Sequence, residues 1–133
     1  MQQEGNKVLG ILYDITASTQ NTIELQKGER PVAGQLLTFD GKVLTTVAEK
    51  AAGICGGIGA IMVGGKPTHQ FRFAPSFSAG RVSVNCIGAV AGAKAYYKIA
   101  TSTYEKTGNI EVGTFYTTGD GLQVVQIKIV NGA

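Results

Sequence analysis

Along most of this chain apolar and polar residues alternate with a period of two, the pattern of strands that bury one face, and helical spacing is rare. Lys7 to Ile15 predicts a first strand, with Gly10 marking a bulge or a close approach. Ile23-Glu24-Leu25-Gln26 predicts a second, and Lys27-Gly28-Glu29-Arg30-Pro31 then turns the chain. Leu36 to Phe39 and Lys42 to Val47 flank Asp40-Gly41, a hairpin signal because glycine accepts the positive φ of a tight turn. Ala48 to Ala52 has helical propensity over little more than a turn, so any helix there is short. Ile54 to Val63 is apolar but broken by Gly56, Gly57 and Gly59, each costing about 1 kcal/mol relative to alanine in a helix. A buried strand with bulges, or a close-packed loop, fits that stretch better. Further strands are expected at His69–Phe73, Arg81–Val84, Ala95–Tyr97, Thr101–Tyr104, Ile110–Tyr116 and Leu122–Val130. Pro75 to Gly80 reads as a loop, and Gly119-Asp120-Gly121 as a turn.

Part of this pattern occurs twice. Residues 32–57 and 90–115 both open on Val-Ala-Gly, at Val32-Ala33-Gly34 and Val90-Ala91-Gly92. Each runs through an apolar strand to an aromatic (Phe39 or Tyr97), a polar turn and a Thr-rich stretch, and ends on Ala52-Gly53 or Val112-Gly113. The copies lie 58 residues apart at their start and 60 at their end, so the second carries a two-residue insertion. Upstream, Ile23-x-Leu25 matches Val82-x-Val84, with Gly28 and Gly88 in the turns that follow. Repeated units bear on architecture before any single motif does. Two of them with flanking strands predict an all-β fold: a small β-barrel or sandwich of short antiparallel strands with an imperfect internal repeat and little or no helix. Residues 1–7 are expected to be a flexible N-terminal arm, and 8–133 a single β-rich domain.

Composition adds to this picture. A chain of 133 residues suits one domain able to bury a core without metal or disulfide staples. Only 16% of its residues are charged, against about 25% in an ordinary soluble domain, which argues for surface covered by other chains. The net charge of +3 comes from scattered basic residues, so no nucleic-acid footprint is expected. The polar start MQQEGNK lacks the apolar core of a signal peptide. Ala51 to Gly65 is too short and glycine-rich to span a bilayer, so no membrane is expected as a partner. Cys55 and Cys86 fit two buried, reduced thiols, while spacing alone leaves a disulfide between them open.

Candidate chemistry is sparse. His69 is the single histidine, and a structural or interface role suits it better than acid–base catalysis. No His, Cys, Asp or Glu cluster has metal-ligand spacing, and Gly64-Gly65-Lys66 runs into Pro67 where a phosphate loop would need Ser or Thr. Neither a catalytic residue nor a cofactor or metal is expected. The segment His69 to Phe77 is the best recognition candidate: Phe71 and Phe73 share a strand face that suits a core, while Arg72 and Phe77 are candidate contacts to another subunit or partner.

The C-terminal section carries a resemblance. Val90-Ala91-Gly92-x-x-Ala95-x-Tyr97, a Thr-rich turn, Ile110-x-Val112-Gly113-Thr114, Gly119-Asp120-Gly121 and a final Val125-x-Ile127-x-Ile129 resemble the closing section of head-decoration (capsid cement) proteins of tailed bacteriophages. The likeness covers about 45 C-terminal residues, and the first copy of the repeat more loosely. The resemblance implies a non-enzymatic, trimeric virion subunit, made in the host cytoplasm, on the outer capsid surface. There it would bridge neighbouring major capsid protein subunits against the pressure of packaged DNA. It further implies an N-terminal arm that adds a strand to the capsid protein, which makes Gln2, Gln3, Glu4, Asn6 and Lys7 candidate contact residues. Two other readings stand beside it: another virion component, such as a tail-tube or head-fibre base subunit, and a small ligand-binding β-barrel with residues 53–65 lining a pocket.

Overall fold

Strands joined by turns and irregular segments make up the described chain, with no helix, in a computed structural model that describes residues 9–14, 18–56, 62–63, 66–67 and 73–129. The strands are β1 (Thr19–Glu24), β2 (Leu36–Thr38), β3 (Ala51–Cys55), β4 (Met62–Val63), β5 (Lys66–Pro67), β6 (Phe73–Ala89), β7 (Lys94–Lys98), β8 (Thr103–Glu105), β9 (Ile110–Phe115) and β10 (Gly119–Lys128). Five of them, in the order β6-β10-β9-β7-β8, close into a barrel. The closing contact is parallel, Cys86 to Tyr104 and Ile87 to Glu105, and every other named strand pairing is antiparallel. The first half of β6 carries β1 on one edge and β3 on the other, with β2 beyond β3. β4 and β5 form a separate two-stranded sheet among the described residues.

The hydrogen-bonded registers establish the internal repeat. β2 meets β3 through Leu36–Ile54, Leu37–Gly53 and Thr38–Ala51, with a bulge after Leu37. β7 meets β9 through Lys94–Thr114, Ala95–Gly113 and Tyr96–Glu111, with a bulge after Ala95. Residue for residue, this is the same ladder with the same irregularity. The Val-Ala-Gly turns also agree: Gln35 N–H donates to Val32 C=O (3.1 Å) and Gly34 N–H to Cys55 C=O (2.9 Å), matched by Ala93 to Val90 (2.9 Å) and Gly92 to Phe115 (2.8 Å). Gly34 and Gly92 sit at φ +95° and +89°, a region closed to most side chains, which is why the motif recurs with its glycine.

A fourth strand completes each unit. β3 pairs with β6 at Cys55–Ser76, and β9 pairs with β10 at Phe115–Val125. β6 then pairs with β1 at Ala74–Ile23, and β10 pairs with the second half of β6 at Gln123–Val84. The equivalent of Ile23 is therefore Val84, two residues beyond the match suggested by the sequence. β6 serves as the last strand of the first unit and the first strand of the second.

Both units are filled largely from the same positions. Ile23, Leu25, Leu37, Ala52, Cys55 and Ala74 form the core of the first unit; the equivalents of the first five, Val84, Cys86, Ala95, Val112 and Phe115, lie in the larger core, while Ala74 is matched by the buried Gln123. Bulk has moved between strands: Leu37 is replaced by Ala95, while Ala52 and Cys55 give way to Val112 and Phe115. Such volume-conserving exchange keeps a core close-packed. The outer faces differ. Leu36, Ala51 and Ile54 of the first unit join the core of the second, whereas the equivalent Lys94, Glu111 and Thr114 face outward, with Lys94 and Glu111 3.9 Å apart.

Several local expectations are corrected. Pro75 to Gly80 is not a loop but the interior of the 17-residue β6. Pro75 is tolerated there because its nitrogen faces the point where β3 ends. Its carbonyl accepts Gly56 N–H at 2.9 Å, and the Gly56 carbonyl accepts the Cys55 thiol at 3.2 Å. Gly119 to Gly121 forms a bulge at the start of β10 and not a reversal of the chain. Phe39 lies past the end of β2, exposed at the hairpin tip, while the matching Tyr97 is buried. No strand forms over Lys42–Val47 beyond a single bridge from Val43 to Leu37. At Ala48–Ala52 there is no helix: Glu49 N–H closes one turn to Thr46 C=O at 3.3 Å, and β3 follows.

Candidate interaction surface

Of the expected contact residues, Gln2, Gln3, Glu4, Asn6, Lys7 and Arg72 lie outside the described residues, as do His69 and the proposed arm over 1–7. Phe77 is described and is corrected in position. It lies in β6 opposite Gln20 and Ile54, its side chain buried in the larger core. The alternation of β6, continuing through Pro75, turns it inward.

The reactive groups that are described are occupied structurally. Cys55 and Cys86 are free thiols, unpaired with each other, and burial pushes each up to about 12, so neither is a thiolate nucleophile at neutral pH. The Tyr104 hydroxyl is fully buried and held protonated by that burial; it donates to the Gly34 carbonyl at 2.5 Å. Among the described residues, no group of three or more His, Cys, Asp or Glu is placed to hold a metal ion. Glu49 is held down to about 2, first by Lys42, 2.5 Å away, and then by the Thr45 and Thr46 amides at 2.8 and 2.9 Å. This carboxylate organises its loop.

What the surface offers is shape, aromatic rings and strand edge. On the outside of β6, Arg81 pairs with Asp14 at 2.9 Å and its guanidinium lies 4.0 Å from the centre of the Tyr116 ring, against which Tyr13 packs at a tilt of 57° with ring centres 6.1 Å apart. The hydrogen bond to Asp14 is the main cause that raises Arg81 above its ordinary value. Cation–π contact and ion pair together fix a rigid aromatic–arginine patch. Sequence reading missed it, because Tyr13, Arg81 and Tyr116 come together only through pairing. At one end of the barrel, Ile87, Val90 and Ala91 are exposed in a run without a polar side chain. That run is pinned by Asp120 accepting Gly88 N–H (2.6 Å) and Thr118 accepting Ala91 N–H (3.0 Å).

The two outer edges of the paired units are unequal. In the second unit, residues 10–13 lie along β6: Gly10 N–H donates to Ser83 C=O (2.8 Å), Ser83 N–H to Ile11 C=O (3.2 Å) and Tyr13 N–H to Arg81 C=O (2.7 Å). In the first unit the equivalent edge belongs to β1, whose side chains are exposed except for Ile23. No protein-family model matches this chain, and no curated protein is significantly similar to it.

Proposed function

We propose that this chain is a non-enzymatic virion structural protein that decorates a tailed-phage capsid and stabilises it by bridging major capsid protein subunits, as a homotrimer on the outer surface. The observation that carries this reading is the doubled frame: one four-strand unit built twice, its equivalent positions devoted to packing. Most of the residues behind the resemblance do structural work in the second unit: the Val90–Gly92 turn, Gly113 against β10, the bulge at Gly119–Gly121 and the last strand, paired with both β9 and β6. Rigid elements joined by tight turns suit a subunit whose task is mechanical, and many copies on a lattice turn modest contacts into firm attachment. Among the described residues, Tyr97, Tyr104 and Phe115 fill the interior of the closed barrel, while residues 57–61 and 64–65 of the stretch that would line a ligand pocket lie outside them.

The test is co-sedimentation of the purified protein with expanded shells of the major capsid protein encoded nearest to it. Saturable binding at a fixed ratio to capsid subunits, with greater resistance of the shell to heat, is expected. A protein that stays monomeric at micromolar concentration and leaves the shells bare overturns the reading.

A further inference from the structure

We propose that the outer edge of β1 is a two-fold contact at which a second copy of this chain pairs antiparallel, β1 to β1. The orientation of the edge follows from its neighbour. Thr22 faces Pro75 across the β1–β6 ladder, and the Pro75 carbonyl points the other way, to Gly56 N–H on the β3 side. Residues of antiparallel strands direct their N–H and C=O to the same side, alternately inward and outward. Thr22 and Pro75 are therefore a non-hydrogen-bonded pair, and Thr22 turns both backbone groups outward, as Gln20 and Glu24 do. Among the described residues nothing bonds to the Thr22 amide or carbonyl. The equivalents in the second unit, Arg81 and Ser83, use the same outward groups to hold residues 10–13. One copy of the edge is filled from within the chain; the other has no strand beside it among the described residues.

The sequence of β1 suits its own image. Centring the two-fold on Thr22 sets Thr22 against Thr22, Gln20 against Glu24 and Asn21 against Ile23, so the one charge of the strand always meets a neutral amide. Like charges directly opposite would oppose such a pair, and none are. The strand also lacks the lysine, proline or inward-pointing charge that guards exposed edges, and its one irregularity lies at Thr19–Gln20, at the strand's start. A two-fold contact of this kind is isologous and closes on itself. It cannot build the threefold ring proposed above and is separate from it, so it is read in free solution without capsids.

Mass photometry and sedimentation velocity on the wild-type chain, Thr22→Lys and Thr22→Glu test the contact. Each substitution sets like charges against each other at the centre, and the mass of the assembly is expected to fall two-fold, to monomer from a dimer or to trimer from paired trimers. An equimolar mixture of the two variants is expected to restore the original mass. The Thr22 amide of the wild type supplies a second measurement that needs no variant: its hydrogen exchange slows as protein concentration rises. Unchanged mass in both variants, or Thr22 exchange independent of concentration, overturns the proposal.

Discussion

The Tyr104 hydroxyl donates a 2.5 Å hydrogen bond to the carbonyl of Gly34, joining the second unit to the turn that opens the first. Beside it, Gln35 reaches Ser102 at 3.4 Å, and the Tyr97 hydroxyl donates to the same serine at 3.2 Å. Tyr97 and Tyr104 pack with ring centres 5.2 Å apart. The contact between units thus adds to the packing of Leu36, Ala51 and Ile54 an aromatic pair, in which Tyr104 bonds the turn directly and Tyr97 is linked to it through Ser102 and Gln35.

Tyr104→Phe keeps the ring and removes the donor, leaving the Gly34 carbonyl without its partner at a buried site. A loss of about 1–3 kcal/mol is expected from an orphaned buried acceptor. Urea unfolding measures it, with an unchanged slope and a lowered midpoint. Full stability in this variant would mean that the bond contributes nothing across the junction.

Gly53 and Gly113 are equivalent glycines at which strand backbones nearly touch. A Cβ at Gly53 would fall within the van der Waals shell of the Phe77 carbonyl oxygen, and one at Gly113 within that of Gln126. Neither obstacle is a flexible side chain, so the ladder itself must shift. Gly53→Ala is expected to cost about 1–3 kcal/mol or more by overpacking, and Gly113→Ala at least as much, because its φ of +154° also disfavours a side chain. The measurement is again the unfolding midpoint, and two neutral substitutions would refute the close approach.

Glu49 gives the fold an acid limit. Its folded value is depressed from 4.5 to about 2, so its contribution is complete above about 4.5 and is lost as pH falls through that window toward 2. The sign follows from proton counting: over this range the unfolded chain binds more protons, and stability rises with pH. Glu49→Gln should flatten the stability profile between those two values while lowering stability at neutral pH. Equal slopes for variant and wild type in a pH series of urea melts would show that the carboxylate is not held as described.

Much of the frame was legible in the sequence. The Val-Ala-Gly turns could be found because their glycines carry positive φ, and the pairs Ala52-Gly53 and Val112-Gly113 because each sets a core side chain beside a close approach. Period-two alternation assigns a residue to a face but leaves register open by two, since a slip of two keeps every face unchanged. That is why Ile23 was matched to Val82, when pairing makes Val84 its equivalent. β6 was hidden by Pro75 and Gly80, which punctuate a sequence locally but are accommodated when the missing donor faces a strand end. The parallel contact of β8 and the Arg81–Tyr116 patch depend on partners distant in the chain, and neither leaves a local mark.

The passage of β6 through both units also decides how load travels. At Gly80, with φ +116°, one unit ends and the next begins without the chain leaving the sheet. A pull on the first unit is transmitted to the second along a covalent backbone gripped by β1 and β3 in one half and by β10 in the other. To separate the units, those ladders must shear along their length, many hydrogen bonds together. The side-chain contacts at Tyr104 then set the angle between the units, and the backbone carries the tension.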